Sequence, residues 1–167
     1  MLLFHGSNVA VEKPRIIEST RGLDFGAGFY LTTSESQAVR FSEIVKKRRK
    51  NGFAIVNIYD FDMETAEKTL EIRRFNSPDT EWLRFVTTNR LHLYQSDNYD
   101  IVIGAVANDT LMPTLQAFWG GFLNEEAAIF TLKASKLVDQ ICIKNDKALS
   151  FLRFSRSYTV TGGDVNE

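Results

Sequence analysis

The sequence contains very little cysteine, histidine or proline. Its 167 residues include one cysteine, Cys142, two histidines, His5 and His92, and three prolines. A single cysteine excludes an intramolecular disulfide, and two isolated histidines do not make a metal-ligand cluster. A metal-free protein is therefore expected, and the small number of prolines and the ten glycines argue against long disordered segments.

Long apolar runs and an excess of one charge are also missing. No stretch approaches the ~18 apolar residues that a membrane-spanning helix requires, and the first residues lack the basic start of a signal peptide. The 20 basic and 21 acidic residues give a net charge of -1, which argues against nucleic-acid binding by overall charge. We expect a cytoplasmic protein without membrane contact.

The 44% of apolar residues is enough for the core of a compact domain, which we expect over residues 1–160, with a flexible tail over 161–167. Helical and strand patterns alternate irregularly, and this is typical of the α+β class rather than of a doubly wound sheet. Strands are predicted at 2–5, 53–61, 70–75, 99–107, 138–143 and 153–160, and helices at 35–50, 78–90, 114–119, 146–152 and from Asn124 onward.

The predicted helix over 35–50 ends in five consecutive cations, Lys46 to Lys50. Ser34 and Gln37 resemble a capping box at its start, and Ala38, Phe41 and Val45 recur at helical spacing. The basic run either offsets the helix dipole on a solvated face or forms a nucleic-acid patch, and its place in the last turn favours the first interpretation.

Common catalytic motifs are absent, but two glycine-containing segments stand out. The chain has no G-x-S-x-G elbow, no P-loop and no H-E-x-x-H helix. It does contain LFHGS at residues 3–7 and GLDFGAGFYLT at residues 22–32. The glycines of the second segment predict a tight turn or the close approach of a ligand, and Asp24 is expected to hold that loop through hydrogen bonds to backbone.

These two segments resemble the first two motifs of ADP-ribosyltransferases of the diphtheria-toxin and poly(ADP-ribose) polymerase type. In that family a His-Gly pair at the end of the first strand precedes a G-x-G-aromatic-Tyr strand. The wider pattern, including EWLRFV and NYDIVIG, is also similar to an uncharacterised bacterial family placed near these transferases. The resemblance implies a split mixed sheet with flanking helices, and NAD as co-substrate.

The resemblance also implies roles for individual residues. His5 would hydrogen-bond a ribose of NAD, and the Gly6 backbone would hold the nicotinamide carboxamide with help from Ser7. Tyr30 would stack on the nicotinamide ring, and Phe41, eleven residues later, matches the second stacking aromatic. Phe41 could equally be part of an apolar helix face.

The third catalytic position of the family is a glutamate at the start of a later strand, where this sequence has Asp139-Gln140. Gln140 is our choice, because its amide oxygen can accept the ribose hydroxyl, although it carries no charge. Asp139 is charged, but adjacent strand residues point to opposite faces, so only one of the two can reach the site. Gly28 would allow NAD to approach the backbone, while Ala38 replaces a serine that contacts the carboxamide in the polymerases.

The resemblance therefore predicts an NAD-dependent ADP-ribosyltransferase that breaks the nicotinamide-ribose bond. The acceptor would be a protein, a nucleic acid or water, and family analogy adds a toxin held by an antitoxin as one setting. The alternative is a domain that binds NAD, ADP-ribose or a partner protein without turnover, because the glutamate is missing.

Overall fold

The computed structural model describes residues 1–18, 22–93, 98–107, 110–135 and 137–161. Seven strands and six helices lie within these ranges. The strands are β1 (Leu2–Ser7), β2 (Phe29–Leu31), β3 (Ile55–Phe61), β4 (Ile72–Arg74), β5 (Ile101–Ala105), β6 (Asp139–Ile143) and β7 (Leu152–Thr159). The helices are α1 (Glu35–Arg49), α2 (Met63–Thr69), α3 (Thr80–Arg90), α4 (Met112–Trp119), α5 (Glu125–Lys133) and α6 (Asp146–Leu149).

The strands form two sheets. One has the antiparallel order β1-β3-β7, and the other has the order β2-β6-β5-β4, in which only β4 and β5 run parallel. The sheets meet where Phe4 of β1 pairs with Thr32, the residue after β2. The architecture confirms the predicted mixed α+β class.

Apolar side chains pack in three clusters. The first core lies against α3, α4 and α5 and includes Trp82, Leu115 and Cys142. The second core contains residues from both sheets, such as Phe61 of β3 and Ile141 of β6. A smaller cluster joins α1 to the three-stranded sheet. Since alternate residues of β6 enter the first and second cores, the two cores share a strand.

Most predicted elements are confirmed to within a few residues, and α1 has the predicted cap, with Ser34 Oγ accepting from the Gln37 N–H. The short helix α2 was not predicted; Asp62 caps it by accepting from the Thr65 N–H. The predicted tail from residue 162 onward lies outside the described residues. Within the described ranges, no helix is long and apolar enough to cross a bilayer.

Candidate functional site

The candidate site lies where β1 and β2 separate. Phe4 and Thr32 exchange two backbone hydrogen bonds of 2.9 and 3.0 Å. In an antiparallel pair, the next residues to face each other in this way are Gly6 and Tyr30. Alternate residues of a strand direct their peptide groups to the same edge, so Gly6 points its N–H and C=O toward β2. A predicted ligand-binding residue thus presents backbone groups to the gap between the sheets.

His5 lies in this gap. Its Nδ1 is 2.7 Å from the carbonyl oxygen of Tyr30, and its ring packs 4.5 Å from the ring of Phe29. A carbonyl can only accept, so Nδ1 carries the proton and Nε2 presents a lone pair. Burial lowers the pKa of His5, while the bond to Tyr30 opposes that shift, so the neutral ring is favoured.

The Nε2 atom of His5 is available to a ligand. All buried side-chain nitrogen and oxygen atoms in the described ranges have a hydrogen-bond partner, whereas Nε2 takes part in no hydrogen bond there. It follows that solvent reaches this atom. A neutral imidazole with an open Nε2 is an acceptor for a hydroxyl group.

Tyr30 faces the opposite side of β2 from Phe29 and packs against the first core. Its hydroxyl donates to the Gly26 carbonyl at 2.6 Å and accepts from the Phe25 N–H at 3.1 Å. Burial raises its pKa, so the phenol stays protonated. The structure therefore joins His5 to Tyr30 through the Tyr30 carbonyl. The His5 ring lies on the Phe29 side of β2, and the Tyr30 side chain lies on the opposite side.

The two candidates for the third position also lie on different faces of the sheet. Gln140 is on the face of Cys142 and Tyr30, and it is buried. Asp139 is partly exposed, and the Thr33 hydroxyl lies 2.8 Å from each of its carboxylate oxygens, to which its one proton is donated as a shared hydrogen bond. The alternation predicted from sequence is confirmed, and Gln140 is the member of the pair that shares the face of Tyr30.

Gln140 is bound to Asp24, a contact that sequence reasoning missed. The Gln140 Nε2 donates to Asp24 Oδ2 at 2.6 Å, and the Ala107 N–H donates to the same oxygen at 2.8 Å. Arg90 donates to Oδ1 through its Nε at 2.7 Å and pairs with it through a terminal nitrogen at 2.6 Å. Asp24 was expected to hold its own loop; instead it ties that loop to α3, to β6 and to the residues after β5.

Phe41 lies on α1, and it is exposed rather than part of the core-facing side of the helix. Of the predicted face, Ala38 is buried and Val45 is half-buried, but the prediction for Phe41 was wrong, because the buried side of α1 consists of Ala38, Val39 and Ser42. This allows close contact, since a Cβ on Gly6 would lie 2.2 Å from the Ala38 carbonyl oxygen.

The exposed Phe41 is nevertheless on the flank of α1 that faces β2. It follows Gln37 by one turn, and Gln37 Oε1 accepts from the Thr32 hydroxyl at 3.1 Å. The contact with Gln37 puts α1 on the face of β2 to which the Thr32 side chain points. Tyr30 is two residues before Thr32, so its side chain points to that same face. Phe41 and Tyr30 are therefore on one side of the gap.

Ser7 and Gly28 have local structural contacts. The Ser7 hydroxyl accepts from the Val9 N–H at 3.4 Å in the turn after β1. At Gly28, a Cβ would lie 2.3 Å from the Cys142 sulfur and 2.7 Å from the Ile143 carbonyl oxygen. The absence of a side chain at Gly28 is thus explained by its packing against β6.

A cavity of about 220 Å³ lies at the start of β6. Asp139, Asn76 and Ser77 supply polar groups to its wall, and Phe75 and Ile103 supply apolar ones. Its lining includes neither His5 nor Tyr30. Because small-molecule sites usually measure ~300–1,000 Å³, this cavity alone is too small for a dinucleotide.

The fold and the site define a mixed α+β protein with polar groups gathered where its two sheets part. The chain belongs to a family described as a protein of unknown function (DUF3990), whose model matches residues 1–154. No curated protein matches the chain, and no solved structure matches it.

Proposed function

We propose that this protein is an NAD-dependent ADP-ribosyltransferase with a split-sheet fold of that type. The motifs LFHGS and FGAGFYLTT suggest it, and one structural observation supports it most. His5 Nε2 and Gln140 Oε1 are both acceptors that take part in no hydrogen bond within the described ranges. Ribose hydroxyls are donors, so each of these open acceptors suits a hydroxyl of a dinucleotide that carries two riboses.

In this proposal, the backbone of β1 and the two aromatics hold the nicotinamide. The Gly6 N–H and C=O can pair with a carboxamide, which has one acceptor and a donor group. Tyr30 and Phe41 lie on one side of the gap and supply aromatic faces for the planar ring. His5 accepts a hydroxyl of the adenine-side ribose.

The reaction breaks the bond between the nicotinamide nitrogen and the ribose carbon, and the electron pair leaves with the nicotinamide. An acceptor oxygen or nitrogen bonds to that carbon and releases its proton to water. Gln140 Oε1 accepts the neighbouring ribose hydroxyl and stabilises the positive charge that develops on the sugar. A neutral amide does this less well than a carboxylate, so slow turnover is expected; one such contact is worth up to ~3 kcal/mol.

Turnover is tested by mass spectrometry of the purified protein with NAD, alone and with a cell lysate as the source of acceptors. We expect nicotinamide release, and a mass gain of one ADP-ribose on a protein or nucleic acid. His5→Ala should reduce release about tenfold, because a hydrogen bond of ~1.4 kcal/mol is lost. The exposed His92 provides the control, and His92→Ala should leave release unchanged.

The proposal is wrong if nicotinamide release stays at the level of heat-denatured protein with every acceptor. It is also wrong if His5→Ala and His92→Ala have equal effects on release. Both variants are first compared with the wild type by circular dichroism, so that a folding defect is recognised.

A second candidate function is binding of NAD or ADP-ribose without turnover. The observation that favours it is the amide at position 140. Gln140 is neutral and buried beside the Asp24 carboxylate, whereas the transferases carry a glutamate at this position. Calorimetry that shows tight binding of NAD, together with no nicotinamide release over a long incubation, would establish this alternative.

A further inference from the structure

The Asp24 side chain is buried, with 3% of its surface exposed, and within the described part of the chain its hydrogen-bond and ion-pair partners are donors. Arg90 pairs with Oδ1, whereas the Ala107 N–H and the Gln140 Nε2 share Oδ2. The guanidinium compensates the buried charge, so the carboxylate is an ionised acceptor. Asp24 comes from the loop before β2, while Gln140 is 116 positions further along the chain.

This contact fixes the orientation of the Gln140 amide. An ionised carboxylate can only accept, so the nitrogen of the amide must face Asp24 and the oxygen must point away. Gln140 is 7% exposed, and its Oε1 has no hydrogen-bond partner in the described ranges. Every fully buried side-chain oxygen in those ranges does have a partner, so Oε1 is not fully buried. Oε1 is therefore the part of this buried side chain that solvent reaches.

We propose that Asp24 is a positioning residue for Gln140. It holds the amide with its oxygen toward the ribose hydroxyl, and its negative charge polarises the amide and makes that oxygen a stronger acceptor. The Asp24–Gln140 pair thereby replaces the single carboxylate of the transferases as the acceptor of the ribose hydroxyl, with part of the negative charge supplied by Asp24. The role rests on the proposed function, in which Gln140 contacts the ribose next to the bond that breaks.

This role is tested by exchanging the carboxylate at position 24 and the amide at position 140, first singly and then together. In Asp24→Asn, the new amide must turn its oxygen to Arg90, so its NH2 group faces Gln140 and forces that amide to flip. A donor then replaces the acceptor in the site. We expect kcat for nicotinamide release to fall about tenfold, because one hydrogen bond to substrate is lost, while KM changes less than threefold.

Adding Gln140→Glu to this variant is the decisive step. In Asp24→Asn/Gln140→Glu, one carboxylate oxygen at position 140 accepts from the new amide at position 24, and the other faces the ribose. We expect kcat to return to the wild-type value or exceed it. Gln140→Glu alone should not do this, because it brings two carboxylates within hydrogen-bond distance. A residue that only stabilises the fold would give no recovery in the double variant.

Asp24→Asn also loses the bond from the Ala107 N–H, so folding is checked by circular dichroism and NAD affinity by calorimetry. The proposal is overturned if folded Asp24→Asn keeps the wild-type kcat, or if the double variant folds, binds NAD and stays as slow as the single one.

A measurement without turnover separates this proposal from the proposed function. The side-chain NH2 signal of Gln140 is assigned in nitrogen-15 spectra by its loss in Gln140→Glu. NAD should shift that signal in the wild type. If NAD shifts it but no nicotinamide is released, the transferase function fails and the positioning role survives for binding. If NAD binds and the signal does not move, Gln140 is not at the ligand and the positioning role is wrong.

Discussion

The protonation of a single ring, that of His5, determines whether the gap between β1 and β2 presents a hydrogen-bond acceptor or a donor at Nε2. Its Nδ1 is held by the Tyr30 carbonyl, and burial lowers its pKa. The neutral ring therefore offers Nε2 as an acceptor throughout the range in which an ordinary histidine would begin to gain a proton. At the residue scale, the contact predicts a distinct dependence of stability on pH.

A histidine whose pKa is lowered by folding binds fewer protons in the native state than in the unfolded state. Its contribution is complete above the unfolded pKa of ~6.5 and is lost as the pH falls below that value. In urea titrations between pH 7.5 and 5.5, we expect the free energy of unfolding to decrease, by at most ~1.4 kcal/mol per pH unit from this group.

His5→Asn should flatten this dependence, because the Asn side-chain NH2 can still donate to the Tyr30 carbonyl but does not titrate. His92→Asn, on the surface, is the matched control and should retain the dependence of the wild type. Equal slopes in the two variants would show that burial of His5 does not govern the pH effect.

The candidate residues and their contacts were not equally accessible to sequence reasoning. His5, Gly6 and Tyr30 could be named as candidates because each lies within a short motif, and motifs are local in the chain. Asp24 was placed correctly in its loop, but its partners Arg90 and Gln140 are 66 and 116 positions away. Nothing in the local pattern indicates such a contact, since it depends on the packing of β6 and α3 around the loop.

At the scale of elements, the contact between β1 and α1 depends on Gly6. A Cβ there would lie 2.2 Å from the Ala38 carbonyl oxygen and 2.7 Å from the Ser42 nitrogen, and both of these are backbone atoms. Gly6→Ala should therefore separate the helix from the strand and lower the free energy of unfolding by ~1–3 kcal/mol in urea denaturation.

Gly121→Ala is a useful comparison for Gly6→Ala. Gly121 has a φ of 75°, and a Cβ there would meet no atom within 4 Å. Gly121→Ala therefore lowers the free energy of unfolding only through the strained backbone conformation. We expect it to be less destabilising than Gly6→Ala. The close packing of α1 on β1 would be disproved if Gly6→Ala had the smaller effect.

Helix α1 also shows which features of an element can be predicted from sequence. Its cap at Ser34 was predicted because a cap is a local signal, and the structure has it. The buried face was predicted through Ala38, Phe41 and Val45; Ala38 does lie against β1, whereas Phe41 is exposed and Ser42 takes its place, because Gly6 brings the two backbones together. The face of a helix depends on its partner, and the partner is not local.

At the scale of the whole molecule, the first and second cores share strands. Within β6, Cys142 enters the first core while Ile141 and Ile143 enter the second. Loss of one core therefore removes support from the other, and the chain should unfold in a single transition.

Phe61→Leu tests this coupling, because Phe61 is buried in the second core whereas Trp82 reports on the first. We expect a loss of roughly 1–2 kcal/mol, seen equally by tryptophan fluorescence and by far-ultraviolet circular dichroism. Phe122→Leu, at a side chain that is 86% exposed, is the control and should leave both transitions in place. Two separated transitions in Phe61→Leu would mean that the cores unfold independently.

The mixed α+β class could be predicted from the irregular succession of helices and strands. The order of strands within the sheets could not, because β6 inserts between β2 and β5 across more than a hundred residues of chain. Alternation along β6 did predict that Asp139 and Gln140 would diverge, since that property belongs to any strand.

The group that fixes the His5 tautomer is a main-chain oxygen, which every amino acid at position 30 would supply. Exchanging the Tyr30 side chain, for instance for phenylalanine, removes the anchor to the Phe25–Gly26 segment but leaves the imidazole proton where it is. The side chain at position 30 and the protonation of the His5 ring can thus be altered one at a time, so the proposed stacking role of Tyr30 and the proposed acceptor role of His5 are open to separate mutation.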